Sequence, residues 1–140
     1  MGFLLPVSDT APASPSTKRP RARALDVGKD WRLVQKVLAA AAASRERAAV
    51  RLVLGGGQAL GPDLGYGRAR FILPLDVRRI ARALHVMDPA VLRDRAARAR
   101  RVDEDDAALM TKYLLASCRR VVAYYQRAAE REDAMLFWLA

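Results

Sequence analysis

The stretch VLGGGQALGPDLGYGRARFILPLDVRRIARAL, residues 53–84 of the 140, decides how this chain folds. Its glycine-rich loop lies between two short apolar runs, at residues 51–54 and 69–73, and both runs are typical of β-strands. Pro74 follows the second run, and beyond it apolar residues recur at helical spacing. These residues are Val77, Ile80, Ala81 and Leu84. The stretch therefore predicts two strands around a glycine loop, followed by a helix with one buried face.

Helical patterns occupy the chain on both sides of this stretch. Before it, Asp26 is expected to cap a helix whose apolar face is formed by Trp31, Val34, Val37 and Leu38. After it, Asp88 and Pro89 form a helix start, because proline lacks a donor where none is needed. The longest helix is expected near residues 104–131. Its predicted apolar face is Met110, Tyr113, Leu114, Ser117, Val121, Tyr124 and Tyr125.

The chain ends in an apolar segment that predicts a third strand, at residues 135–139. Strands near 51–54, 69–73 and 135–139 form a small sheet, and three to four helices pack against it. This arrangement belongs to the α+β class. Residues 1–24 contain several Pro, Ser and Thr without apolar periodicity, so we predict a flexible tail there and a single domain over residues 25–140.

The composition excludes several classes of protein. One Cys and one His cannot form a disulfide framework or a zinc cluster, so we expect no metal, no cofactor and a reducing cytoplasmic location. The longest apolar run, residues 37–43, is far shorter than the roughly 20 residues of a membrane-spanning helix. We therefore expect no contact with a membrane, and the N-terminal residues lack the features of a secretion signal.

The formal net charge of +10 suggests a polyanion as one candidate partner. Part of the charge lies in the predicted tail and part on the helix after Pro74. The candidate contacts are Lys18, Arg19, Arg21, Arg23, Arg78, Arg79 and Arg82. No helix-turn-helix, RNA-recognition or zinc-finger signature accompanies them, so such binding is expected to be independent of nucleic-acid sequence.

The glycine loop resembles that of the YfbM-like family of uncharacterised bacterial proteins, which has a stretch of the form VLGG, then a Gly, then DLGYGPARYL. The matching positions here run from Val53 to Gly56, include Gly61, continue from Asp63 to Gly67 and from Ala69 to Phe71, and end with Pro74 and Val77. LDVGKDW and EREDAMLFWLA look like two further elements of that family. The resemblance implies the family's fold and carries no reaction with it.

Two departures from the family pattern stand out. The family commonly has a His on the helix that follows the Trp element, and this chain reads WRLVQK there. The family also begins with a strand and a helix, where this chain has Met1-Gly2-Phe3 and the Pro/Ser-rich segment. We therefore expect a divergent member that lacks the opening strand and helix.

The loop offers one candidate site, made of Asp63, Tyr66, Arg68 and Arg70. Asp63 and Tyr66 form either an acid and donor pair or part of an Asx turn, in which the Asp side chain accepts hydrogen bonds from nearby amides. The glycines either cradle an anion, with both arginines as countercharges, or permit a tight turn with Tyr66 beneath it. The motifs of phosphate-binding loops are absent from the sequence.

The remaining reactive side chains suggest structural roles. His85 is expected at a helix end, and Cys118, between apolar residues, is expected to pack in the core rather than to react. The acidic residues 103–106 are expected to start the longest helix rather than to bind a cation.

Three hypotheses of function follow from these observations. The first is a non-enzymatic protein that acts through a protein partner, which includes a second copy of itself. The second is a basic protein that binds nucleic acid without sequence specificity. The third is a small enzyme that uses a cleft beside the glycine loop.

Overall fold

The computed structural model describes residues 1–7, 24–63, 65–99 and 104–140. The strands are β1 (Gly2–Val7), β2 (Leu25–Gly28), β3 (Gln58–Asp63), β4 (Arg68–Ile72) and β5 (Ala134–Leu139). The helices are α1 (Trp31–Ala41), α2 (Arg47–Val50), α3 (Pro74–His85), α4 (Pro89–Ala99) and α5 (Glu104–Glu130), with one 3-10 turn at Ser44–Glu46. The predicted α+β class is confirmed.

The five strands form one antiparallel sheet in the order β2-β1-β5-β4-β3. β1 lies inside the sheet, and it pairs with β5 along its whole length, from Gly2 opposite Leu139 to Val7 opposite Ala134. Residues 2–7 are therefore not part of a tail, and the expectation that the opening strand is missing is wrong. The rest of the predicted tail, residues 8–23, lies outside the described residues, and so does the expectation about the opening helix.

One face of the sheet packs against the helices. Leu4, Ile72, Met135 and Phe137 lie on this inner face, and each is at most 3% exposed. The ring of Trp31, the first residue of α1, lies 5.2 Å from that of Phe137 and joins α1 to the sheet. The predicted strands at 69–73 and 135–139 are confirmed as β4 and β5.

The third predicted strand, residues 51–54, is wrong. The chain there continues α2 as hydrogen-bonded turns, in which the amide of Arg51 donates to the Arg47 carbonyl at 3.0 Å. The Gln35 side chain donates to the Val50 carbonyl at 3.0 Å and accepts from the Leu54 amide at 2.8 Å. Side chains thus satisfy backbone groups that a strand would pair with a neighbour.

The buried Tyr125 hydroxyl completes this arrangement, because it donates to the Val53 carbonyl at 2.6 Å. Burial raises the pKa of Tyr125 far above its usual value, so the hydroxyl keeps its proton for this bond. We expect Tyr125→Phe to lower the free energy of unfolding by about 1–3 kcal/mol, since a buried carbonyl loses its partner. Urea unfolding measures the change. Tyr113→Phe, on a side chain that is 61% exposed, is the control, and an equal loss in the two variants would contradict the role of this bond.

The helix after Pro74 is confirmed as α3, and its predicted apolar residues are buried: Val77, Ile80, Ala81 and Leu84. The predicted cap of α4 is also present, since the Asp88 carboxylate accepts from the Ala90 amide at 2.8 Å. Asp26 does not cap α1. It lies in β2, where its carboxylate accepts from the Gly28 amide at 2.7 Å, and α1 begins at Trp31.

The long helix α5 is confirmed, and its buried face differs slightly from the prediction. Leu114, Val121 and Tyr125 are buried as expected, whereas Tyr113 is exposed. The face also includes Leu115, Cys118 and Ala128. Both α3 and α4 pack on α5, which makes this helix the support for the others.

Candidate functional site

Residues 58–63, which the sequence places in the glycine loop, form β3, and what remains of the loop here is a tight turn between β3 and β4. One carboxylate oxygen of Asp63 accepts from the amide of Gly65 at 2.8 Å and from that of Gly67 at 3.0 Å. Arg68 donates to the Gly61 carbonyl at 2.7 Å. Of the alternatives that the sequence left open, the Asx turn matches this geometry, because Asp63 and Arg68 both bond to the backbone of their own hairpin.

The other two candidate residues of the loop extend into solvent. Tyr66 is 69% exposed, so it does not lie beneath the loop as expected, and Arg70 is exposed as well. Every residue of β3 is exposed. The hairpin therefore projects from the sheet edge and does not bring Asp63, Tyr66 and Arg70 into a cleft.

The candidate polyanion contacts divide into two groups. Lys18, Arg19, Arg21 and Arg23 lie outside the described residues. On α3, Arg78 pairs with Glu132 at 3.6 Å and Arg79 pairs with Asp76 at 3.7 Å, and all four side chains are at least one-third exposed. Exposed pairs of this kind contribute little to stability, roughly 0–1 kcal/mol, so they do not hold the arginines in place strongly. Arg82 is exposed on the same helix.

His85 and Cys118 take the places that the sequence predicts. His85 is the last residue of α3 and is exposed. Cys118 is fully buried in α5, and burial raises the pKa of its thiol from 9.0 to about 12. Since the thiolate is the reactive form, the packing role is the one that this position supports. Within the described residues, no group of three or more Asp, Glu, His or Cys side chains is arranged to hold a metal ion.

The Cys118 thiol has a consequence for stability at high pH. Because the folded state holds its proton more tightly than the unfolded state, the thiol contributes stability that is complete below pH 9.0 and is lost as the pH rises toward about 12. We expect the free energy of unfolding of the native chain to fall relative to that of Cys118→Ala by up to about 1.4 kcal/mol per pH unit in this window. Urea unfolding of both proteins at several pH values checks this, and parallel curves would contradict it.

The second face of the sheet carries apolar side chains that were not predicted to form a surface. We define the outer sheet face as Phe3, Leu5, Phe71, Leu136 and Trp138. Strand register places Phe3 opposite Trp138, and Leu136 between Leu5 and Phe71. The Phe3 and Trp138 rings stack at 5.3 Å. The five side chains are half-buried, and they alternate along the strands with the inner residues that contact the helices.

A signal for this surface was present in the sequence. An antiparallel strand with one solvated face alternates apolar and polar residues, whereas β1 reads GFLLPV and β5 reads AMLFWL, without such alternation. On this face, polar residues lie at the two sheet edges, where Asp26 of β2 lies opposite Phe3 and Gln58 of β3 lies opposite Phe71. The outer sheet face is therefore an apolar patch with a polar rim.

Two of the hollows that the described residues form are similar in volume. One, of about 310 Å³, lies between the end of α3, the start of α4 and the middle of α5, and is mostly apolar. The other, of about 340 Å³, lies between the turn from β2 to α1 and α5, and Asp26, Lys29, Asp30 and Arg120 are among its residues. Neither is lined by the residues of the glycine loop. In the described part of the chain, no helix has the length and apolar character needed to cross a membrane.

Comparisons with known proteins agree with this fold. The structure is similar to the crystal structure of YfbM from Escherichia coli, a protein of unknown function, with a TM-score of 0.61, 15% sequence identity and 99% of each chain covered. No curated protein matches the chain in sequence. A family model described as a domain of unknown function (DUF1877) matches residues 7–138. The resemblance found in the loop sequence is thus confirmed, and the chain belongs to the DUF1877 family.

Proposed function

We propose that this protein acts through a protein partner that docks on the outer sheet face. The observation that supports this is the row of apolar side chains across the middle of the sheet, on the side opposite the helices. A solvated sheet face normally carries polar residues, so an apolar one indicates a surface that is covered in use.

The composition of the patch also favours a protein partner. It contains two Phe and one Trp, and aromatic residues are enriched at protein interfaces while charged residues are depleted from interface centres. Its five residues are uncharged in a chain whose net charge is +10. Asp26 and Gln58, both exposed at the edges, supply the polar rim that such interfaces have.

The experiment compares three forms of the protein as bait in the cell of origin. Leu5→Thr/Leu136→Thr removes the apolar centre of the outer sheet face and retains β-propensity. Leu75→Thr makes the same change on α3, at a residue that is 64% exposed and outside the sheet. We expect the native protein and Leu75→Thr to recover the same protein, and the double variant to lose it.

Sedimentation of the same three proteins over a wide range of concentration tests a second copy as the partner. Self-association that disappears only in the double variant identifies the partner as this chain. The proposal is overturned if the native protein is strictly monomeric and the double variant recovers the same proteins as the native bait.

Nucleic-acid binding is the second candidate function, and the exposed arginines of α3 and α4 favour it. Arg82, Arg93 and Arg95 are exposed, and no ion pair involves them within the described residues. Binding of this kind falls steeply with salt, because phosphate contacts release counterions. Duplex DNA or RNA bound at low salt and released at moderate salt, with equal affinity for unrelated sequences, is the expected result. Absence of binding at low salt rules this candidate out.

A further inference from the structure

The apolar hollow between α3, α4 and α5 has the features of a ligand groove. Leu84, Met87 and Leu92 are buried beneath it, and Val122 and Ala123 of α5 line its side. Its volume of about 310 Å³ lies at the lower end of the range of small-molecule sites. We refer to this hollow as the α3–α5 groove.

The connection between α3 and α4 explains why a groove forms here. The chain leaves α3 at His85 and restarts at Pro89, so α3 and α4 both pack on α5 while making little contact with each other. The side chain of Gln126 donates to the Ala81 carbonyl at 2.8 Å and fixes α3 to α5 beside the groove. The space is thus formed by packed helices rather than by a loop.

The polar residues at the rim favour a negative ligand group. Arg119 and His85 line the groove and are exposed, and no carboxylate is among its lining residues. The closest acid in the sequence, Asp88, has one oxygen engaged by the Ala90 amide at the start of α4. The C-terminal end of α3 and the N-terminal end of α4 meet here, and their partial charges are opposite in sign. The side chains therefore determine the sign of the charge at the groove.

We propose that the α3–α5 groove binds a small amphipathic anion, an unbranched aliphatic chain with a terminal carboxylate. The chain lies against Leu84, Leu92 and Val122, and the carboxylate accepts hydrogen bonds from the Arg119 guanidinium. The inference is independent of the outer sheet face, which is formed by other residues on the opposite side of the sheet.

The test measures the binding of hexanoate, octanoate and decanoate, below their micelle concentrations, by calorimetry and by NMR. We expect the affinity to rise by about fourfold for each added methylene that enters the groove. Chemical shifts of Leu84, Leu92 and Val122 are expected to change, while those of the outer sheet face stay constant. Octanol, which has the same apolar chain without the charge, is expected to bind more weakly.

Two neighbouring arginines provide a matched pair of variants. Arg119 lines the α3–α5 groove, whereas Arg120 lines the polar hollow near the turn from β2 to α1. We expect Arg119→Gln to weaken octanoate binding by at least fivefold and Arg120→Gln to leave it unchanged. The proposal is overturned by equal losses in the two variants, by octanol binding as tightly as octanoate, or by no saturable binding of decanoate. The proposal is also overturned if the affinity rises with chain length while the chemical-shift changes are confined to the outer sheet face. That result assigns the binding of the aliphatic chain to the outer sheet face.

Discussion

A chain from which residues 1–7 are deleted is expected not to fold. These residues include β1, which lies between β2 and β5 and pairs with β5 over six consecutive positions. Deletion leaves β2 without a neighbour and exposes the backbone of β5. It also removes Leu4, which is 0% exposed. Truncation of a buried Leu to Ala alone costs about 2–5 kcal/mol, out of a total stability of about 5–15 kcal/mol for a domain. Circular dichroism on heating is expected to show no cooperative transition.

If the deleted chain is insoluble, single substitutions in β1 test whether this strand is central to the fold. Leu4 faces the helices, and Leu5, next to it, belongs to the outer sheet face. We expect Leu4→Ala to lower the free energy of unfolding by about 2–5 kcal/mol and Leu5→Ala by about 1 kcal/mol or less. Urea unfolding of the two variants gives the comparison. A cooperative transition in the deleted chain, or equal effects of Leu4→Ala and Leu5→Ala, would show that β1 does not have this central place.

Local sequence patterns predicted the elements whose formation depends on near neighbours. In α3 and α5, apolar residues recur at helical spacing, and the start of α4 depends on Asp88 and Pro89, which are adjacent. The turn at Asp63 was also open to prediction, because an Asx turn needs only amides two to four residues away. In each case the interaction that fixes the structure lies within a few residues in sequence.

The two main errors in the fold concern segments that distant residues fix. β1 is short, contains Pro6 and precedes a Pro/Ser-rich segment, and it becomes a strand because it pairs with β5, more than 120 residues away. Residues 51–54 have a strand-like composition. They instead continue the turns of α2, and the side chains of Gln35 and Tyr125 bond to the Leu54 amide and the Val53 carbonyl at the end of the segment. A single sequence does not show that β1 pairs with β5, or that Gln35 and Tyr125 bond to residues 53 and 54.

The same reasoning applies to the candidate sites. Asp63 and Tyr66 were predicted to form a candidate site because they are polar and close together in a glycine loop. The structure shows that this loop is part of a hairpin at the edge of the sheet. The outer sheet face is built from three strands that are distant in sequence. Its residues resemble core residues in composition. The position of the helices shows which side of the sheet is the core and which side is the outer face.

Gly57→Ala is expected to be among the most destabilising single substitutions in this chain. Gly57 has φ +87°, a conformation that costs an L-residue about 1–2 kcal/mol. A Cβ at this position would also collide with the Phe71 carbonyl oxygen of β4 and lie 2.9 Å from Cγ1 of Ile72. Ile72 is buried in the core, and Phe71 pairs with Gln58 in the sheet, so neither can move without disturbing the register of β3 and β4. We expect a loss of about 3–4 kcal/mol or more in urea unfolding.

Gly61→Ala separates the two causes of this loss. Gly61 has φ +70°, close to that of Gly57, and a Cβ there meets nothing within 4 Å. Its substitution therefore carries the backbone cost without the collision, and a smaller entropy of the unfolded chain offsets part of it, so the expected loss is about 1 kcal/mol. The difference between the two losses of unfolding free energy gives the cost of the collision between residue 57 and β4. If both variants lose the same stability, β4 is able to move away from residue 57, and the approach of the two segments does not hold the hairpin in register.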